Sequence, residues 1–218
     1  MFSTRNRITV AIAVTTTTAA LFAAGCSDDD SSMPGMDHGS SSSSPATSGK
    51  PAARSDFNDA DVTFLQMMYP HHAQAVEMAR LVPSRTQNEQ LRALAGDVEQ
   101  AQAPEMEQIT TLLQSFGKPA PSAGGHNMEM PGMTTTPSTA NMPGMMSNDQ
   151  MNALAAASGA DFDRQWMEMM IEHHTGAIAM ANTELANGAN PDARALATAI
   201  IAAQQAEIAT MRGLLGQR

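Results

Sequence analysis

Thiols and aromatic rings are nearly absent from this chain. It has one Cys, one Trp and one Tyr, and aromatics make up 4 % of its residues. A single Cys excludes an internal disulfide framework. So few rings leave Leu, Ala, Val, Ile and Met to fill any core. Positive charge is scarce too: 12 Lys and Arg stand against 22 Asp and Glu, a formal net charge of −10, and no basic patch occurs. That argues against nucleic acid and against electrostatic docking to membranes. No stretch alternates as a strand, and no hydrolytic triad, phosphate-cradling loop or zinc-protease motif is recognisable. The Glu-x-x-His motif of ferritin-like di-iron oxidases does not occur.

What the chain has in excess is Met, with 19 residues, and a repeat. Residues 163–181 (DRQWMEMMIEHHTGAIAMA) align without a gap on 61–79 (DVTFLQMMYPHHAQAVEMA) at an offset of 102, and 194–215 align on 92–113. Eight of 19 and nine of 22 positions are identical, which marks an internal duplication. Each unit reads as two helices joined by a short loop. Residues 218 in number suit one domain with unstructured flanks.

Residues 1–25 read as an export signal. Arg5 and Arg7 precede an uncharged, mostly apolar run that ends at Ala23-Ala24-Gly25-Cys26, which looks like a lipobox, with Cys26 acylated as the mature N-terminus. An ordinary signal peptide is the nearest rival reading. Residues 26–55, rich in Ser, Pro, Gly and Asp, form a tether, and 118–146 form a second low-complexity linker. The first hairpin repeat covers 56–117 and the second 147–218, together one bundle domain.

Within them the pattern predicts helices from about Asn58 to Leu81, stopping before Pro83, and from about Gln87 to Phe116 with Gly117 as C-cap. Ser147-x-x-Gln150 resembles a capping box opening a short helix over 148–157. Two further helices follow, over about 160–185 and 191–215, Pro191 suiting a first turn. The fold class is therefore all-α: a four-helix bundle made of two duplicated helical hairpins, with a short extra helix and disordered linkers.

The candidate chemistry lies in the repeated Met-Met-x-x-His-His cluster. Helical spacing puts Phe64, Met68, His71, Ala75, Met78 and Val82 on one stripe, and Trp166, Met170, His173, Ala177 and Met180 on its counterpart. His72 and His174 lie about 100° round. Met67, Met68, Met169 and Met170 each stand four residues before a His, so a thioether and an imidazole can meet at one point. On the second and fourth long helices the apolar stripe is broken by Gln102 and Glu105, and by Gln204 and Glu207, at the depth of the histidines. A carboxylate there can hold one ring nitrogen and leave the other for a metal. The metal candidates are thus His71, His72, His173, His174, Met67, Met68, Met169 and Met170. Glu105, Glu207, Gln102, Gln204, Met78 and Met180 are supporting groups or alternative ligands. Met stripes also fill cores, and lone histidines can be core residues; paired histidines in both repeats tell against that. Pro70 and Pro104 have no counterpart in the second unit, so the halves should differ.

The linkers add a second set. Met33, Met36 and His38, then His126, Met128, Met130 and Met133, then Met142, Met145 and Met146 surround three copies of Met-Pro-Gly-Met in polar sequence. They read as flexible capture sites for a soft cation such as Cu(I) or Ag(I). No catalytic residue is identifiable. Taking the reference His value, imidazole-bound metal should leave between about pH 6.5 and 4.5.

The two Met-Met-x-x-His-His segments, with Ala75-Val76-x-Met78-Ala79 and Ala177-Ile178-x-Met180-Ala181 after them, resemble domain-of-unknown-function family 305 over about 56–116 and 147–216. Gln74 departs from the family's usual Gly, which Gly176 retains. The resemblance implies a ferritin-like bundle and a role like that of the family's exported copper- and silver-binding proteins, with His71, His72, His173 and His174 as ligands. The expectation is a lipid-anchored protein on the outer face of the bacterial cytoplasmic membrane that binds copper (Cu(I), with Ag(I) or Cu(II) as variants) and sequesters, buffers or hands it to a partner protein. A metal-dependent oxidoreductase and a metal-free helical adaptor are the alternatives.

Overall fold

In the computed structural model, residues 54–119 and 142–216 are described. Cys26, Met33, Met36, His38, His126, Met128, Met130 and Met133 lie outside them, as do the signal and most of both linkers. The described residues form five helices and no strand: α1 (Asp59–Arg85), α2 (Glu89–Ser115), α3 (Asn148–Ala156), α4 (Gly159–Asn187) and α5 (Pro191–Gly216). The long ones pair as the hairpins α1–α2 and α4–α5, joined chiefly by α1 against α4, while α3 leans on α4. This is the expected four-helix bundle with a short extra helix.

Local chemistry sets most of the boundaries. Asn58 caps α1, its side chain accepting from the N–H groups of Ala60 and Asp61 while Asp61 accepts from the Asn58 N–H, a reciprocal box. At the end of α2, Gly117 takes a φ of 71°, its N–H reaches the Gln114 carbonyl, and the Lys118 N–H reaches that of Leu113. That is a Schellman closure, which a left-handed Gly makes accessible. Ser147 and Gln150 form the expected box on α3, and Asn190 accepts from the N–H groups of Asp192 and Ala193 ahead of Pro191.

Two expectations need correction. The first helix does not stop before Pro83; it continues to Arg85. Pro83 gives up one helix hydrogen bond, to the Ala79 carbonyl, close to the end of the helix, and fully buried Val82 holds that last turn to the core. The linker is also shorter than 118–146, because residues 142–146 lie against the bundle with Met142 and Met146 buried. Their Met-Pro-Gly-Met sequence folds as a turn, closed by the Met145 N–H to the Met142 carbonyl (3.2 Å), with Gly144 at φ 77°. Pro at the second position and a left-handed Gly at the third are the signature of a type II turn.

The apolar interior falls into two clusters. One gathers Met78, Val82, Leu91, Val98, Phe162, Trp166 and Met170; the other gathers Leu65, Met68, Ile109, Leu113, Ala177 and Ile200. Each fully buried Leu or Ile contributes roughly 1.5–3 kcal/mol. Trp166 keeps its indole in the core by donating to the Met78 carbonyl (2.9 Å). Asp61 and Asp163, 102 residues apart, bracket the hairpins to each other. Asp61 accepts from the N–H of Ala189 (3.1 Å) and of Asn190 (2.9 Å), and Asp163 accepts from the Asn88 amide (3.0 Å).

Candidate metal centre

Between the apolar clusters lies a polar layer. His71, His72, His173 and His174 are each fully buried, and Gln102 and Gln204 nearly so. All six sit at the midpoint of their helices, some 20 Å from either end by helical rise. The rings of His71 and His173 are in contact, centroids 3.7 Å apart, and His173 and His174 are 6.2 Å apart. The duplication has therefore brought its two motifs face to face across α1 and α4.

Each hairpin supplies one carboxylate to the layer. The His72 Nε2–H donates to Glu105 Oε2 (2.7 Å), and the His174 Nε2–H to Glu207 Oε2 (2.6 Å). The side chains of Glu105 and Glu207 remain 17 % and 14 % exposed, so the negative charge stays near water while each imidazole is dry. His71 differs: its Nε2–H donates to the Pro143 carbonyl (3.0 Å). Carboxylates and carbonyls only accept, so all three rings carry a proton on Nε2, and in neutral His71 this leaves Nδ1 with a bare lone pair.

The Nδ1 atoms of these three rings, and both ring nitrogens of His173, are buried without a hydrogen-bond partner among the described residues, as are both amide atoms of Gln102 and of Gln204. Leaving one such group unsatisfied costs roughly 1–3 kcal/mol, and here they collect at one level of the bundle. Burial, reinforced by the neighbouring His72 and His174, pushes the His71 pKa down to about 3 against the pull of its Pro143 bond. Burial likewise holds His173 well below the ordinary value, helped by His71, His174 and His72. These two rings are neutral across the physiological range and have no proton to lose before binding a cation. Desolvation opposes their protonation, so for these two rings proton competition sets in at lower pH than the reference His value used for the 6.5 to 4.5 expectation.

The thioethers are distributed around this layer. Met68 and Met180 belong to one apolar cluster, Met78, Met169 and Met170 to the other, and Met67 is half-buried. Among the described residues no group of three or more His, Cys, Asp or Glu side chains is disposed to hold a metal ion. Any cation held at this level would draw its remaining ligands from other donors, of which the neighbouring Met thioethers suit a soft ion. Of the linker residues, Met142 and Met146 are buried and Met145 half-buried, so these three stand on the bundle rather than on a free tether.

The helical pattern puts the histidines, Glu105 and Glu207 at the depth at which they meet; it gives Pro143 no role and Gln74 only an effect on packing near His71. Gln74 holds Met146 from both sides: its amide donates to the Met146 carbonyl and accepts from the Met146 N–H, each 2.8 Å. The Pro-Gly turn signal in the third Met-Pro-Gly-Met copy was the available clue.

Known structures align with this geometry. A DUF305 fragment from Deinococcus radiodurans matches with a TM-score of 0.63 at 34 % identity, over 74 % of this chain and 98 % of that one. A DUF305 protein from Streptomyces coelicolor, described as a candidate secreted protein, matches with a TM-score of 0.63 at 29 % identity, over 72 % of this chain and 93 % of that one. CopM in its Cu(I)-bound form matches with a TM-score of 0.57 at 28 % identity, over 72 % of this chain and 96 % of that one; CopM has also been solved with Cu(II) and with silver. No curated protein matches the chain. The family described as "Domain of unknown function (DUF305)" matches residues 61–215, most of the chain, and to that family this protein belongs.

Proposed function

We propose that this is an exported copper-binding protein that takes up Cu(I), or Ag(I), in the polar layer of its bundle and sequesters, buffers or hands on the metal. The observation that carries the reading is the concentration of unpartnered imidazole nitrogens on four fully buried histidines at one level. A core built for stability alone would fill that level with apolar side chains. His71, His72, His173 and His174 supply nitrogen, and Met67, Met68, Met169 and Met170 are the sulfur candidates. Glu105 and Glu207 orient their imidazoles and balance the charge of an entering cation. The copper- and silver-bound states of CopM support the choice of metal. We read the chain as a binding protein and not an enzyme. Lipid attachment through Cys26 and capture by the Met-Pro-Gly-Met copies belong to the same proposal. No helix among the described residues is long and apolar enough to cross a membrane; the anchor we propose is acylation of Cys26.

The test is a Cu(I) titration of the full mature chain against a chromophoric Cu(I) chelator, beside the double variant His71→Ala, His173→Ala. Wild type should withdraw copper from the chelator, and the double variant should lose the tightest class. Equal withdrawal by both proteins would refute the layer as the site.

A further inference from the structure

Positions 74 and 176 are the same place in the two repeats, and they meet the same segment from opposite sides. Gln74 on α1 grips Met146 through two hydrogen bonds of 2.8 Å. Gly176 on α4 lies directly under the turn: a Cβ there would run into the Pro143 carbonyl and fall 2.7 Å from the Gly144 nitrogen. Gly144 is equally confined, since a Cβ on it would come within 2.7 Å of the Glu172 carbonyl oxygen and 2.8 Å of that of His173. Its φ of 77° already favours Gly. The turn thus spans α1 and α4 at the histidine level, with its backbone pressed onto α4 and its exit tied to α1. From this seat the Pro143 carbonyl reaches His71 Nε2 at 3.0 Å.

We propose that Gln74 and Gly176 are positioning residues that seat the Met142–Met146 turn over the histidine layer, and that the seated turn fixes His71 with its proton on Nε2 and slows metal entry and loss. The tautomer half stands on the geometry of the metal-free protein. The exchange half rests on the metal-binding reading above. A seated Pro143 carbonyl turns the His71 Nε2 proton outward, so only Nδ1 offers a lone pair to the interior. The pseudo-symmetric histidine, His173, makes no hydrogen bond to the turn. The turn is therefore one source of inequivalence between the halves, and it is made by a Gly in one repeat and a Gln in the other.

Two hydrogen bonds of ordinary net strength correspond to about a thirtyfold change in the open population of the turn. The experiment uses the full mature chain, metal-free, with ring-nitrogen-labelled histidine, and compares wild type with Gln74→Ala. Wild type should show His71 as a single Nε2–H tautomer. In Gln74→Ala the Met145 N–H should exchange with solvent about thirtyfold faster, and His71 should show a mixture of tautomers. Met145 is the reporter because its N–H bonds the Met142 carbonyl within the turn and not Gln74. Gly144→Ala, whose Cβ would press the turn away from the α4 backbone, should give the same two changes. A His71 tautomer that stays single while Met145 exchange accelerates would overturn the positioning role, and unchanged exchange in both variants would overturn the clamp. Silver ion is then added and its transfer to a thiol chelator is timed. Release about thirtyfold faster from Gln74→Ala supports the gating role; equal rates refute it. Failure of wild type to take up silver would refute the metal reading and the exchange half with it, leaving the tautomer result standing.

Discussion

Glu184 makes the sharpest stability prediction. Its carboxyl is 1 % exposed, lies against Asp61, and meets no hydrogen-bond donor among the described residues. Burial, then the hydrogen bond with Asp61 and its charge, push the Glu184 pKa up to about 8, with Arg194 pulling weakly the other way. Burial also works against the charge of Asp61, but the N–H groups of Asn58, Asn190 and Ala189, with the Glu184 hydroxyl, outweigh it and keep Asp61 ionised below the usual range. The pair therefore shares one proton, carried by Glu184 and donated to Asp61.

The sign follows from proton counting. The folded state binds the Glu184 proton up to about pH 8, whereas the unfolded chain releases it above the reference value of 4.5. The contribution of the pair is full below that value and is lost as pH rises towards 8, at about 1.4 kcal/mol per pH unit. At pH 7 the loss is about 3 kcal/mol, a sizeable share of an ordinary domain's stability. Glu184→Gln keeps the shape, lets an amide N–H replace the acid proton, and removes the titration. Urea unfolding of metal-free wild type and Glu184→Gln at pH 5, 6, 7 and 8 isolates the effect. His71 and His173 titrate in both proteins and cancel in the difference, since His71 is ten residues and some 15 Å along α1 from Asp61. The variant should be nearly equal to wild type at pH 5 and more stable by about 3 kcal/mol at pH 7. A difference that does not change with pH would refute the shared proton.

Other outcomes follow from the same geometry. Glu105→Leu or Glu207→Leu leaves a buried imidazole N–H without its acceptor, and should weaken Cu(I) binding about 10- to 100-fold in chelator competition while helicity by circular dichroism is retained. Because His71 is held down to about 3, the metal-free protein should lose stability as pH falls below 6.5, at about 1.4 kcal/mol per unit from that ring, read as a falling urea midpoint. For the same reason copper bound through His71 and His173 should survive pH 5, measured by dialysis and metal analysis; complete release at that pH would contradict ligation by these two rings. Trp166→Phe removes the donor to the Met78 carbonyl from a sealed core and should cost about 1–3 kcal/mol in urea unfolding.

Much of this was legible because duplication and helical period are local properties. A 102-residue offset and a stripe of apolar residues locate four helices, and folding each hairpin about its loop puts Gln102 and Glu105 at the depth of the first His-Met cluster, and Gln204 and Glu207 at that of the second; that the carboxylates meet His72 and His174 is seen only in the fold. The caps at Asn58, Ser147 and Gly117 are short-range signals of the same kind. What resisted reading is tertiary. The continuation of α1 past Pro83 depends on the burial of Val82, and the Asp61–Glu184 pair joins residues 123 positions apart that no periodicity links. The seating of Met142–Met146 was missed because Met, Pro and Gly in polar sequence look like tether wherever they occur. Only a partner on the bundle distinguishes a packed copy, and that partner, Gln74, lies 72 residues earlier.

The duplication also explains why the layer is nearly symmetric without being a closed site in either half. Each repeat contributes one His–Glu pair whose imidazole is oriented from outside, His72 with Glu105 and His174 with Glu207. Each also contributes one His that faces its counterpart across the interface, His71 against His173. A hairpin alone would expose those facing rings and bind nothing tightly; pairing the hairpins removes them from water and lowers their basicity together. Symmetry would then make the two rings equivalent, and the third Met-Pro-Gly-Met copy breaks it by giving the Pro143 carbonyl to His71 and not to His173. Pro70 and Pro104, absent from the second repeat, fall at the same level of α1 and α2. The repeats thus keep the Met-Met-x-x-His-His cluster, Gln102/Gln204 and Glu105/Glu207 in common, while the two interior prolines and the Gln74/Gly176 pair distinguish the halves at that level.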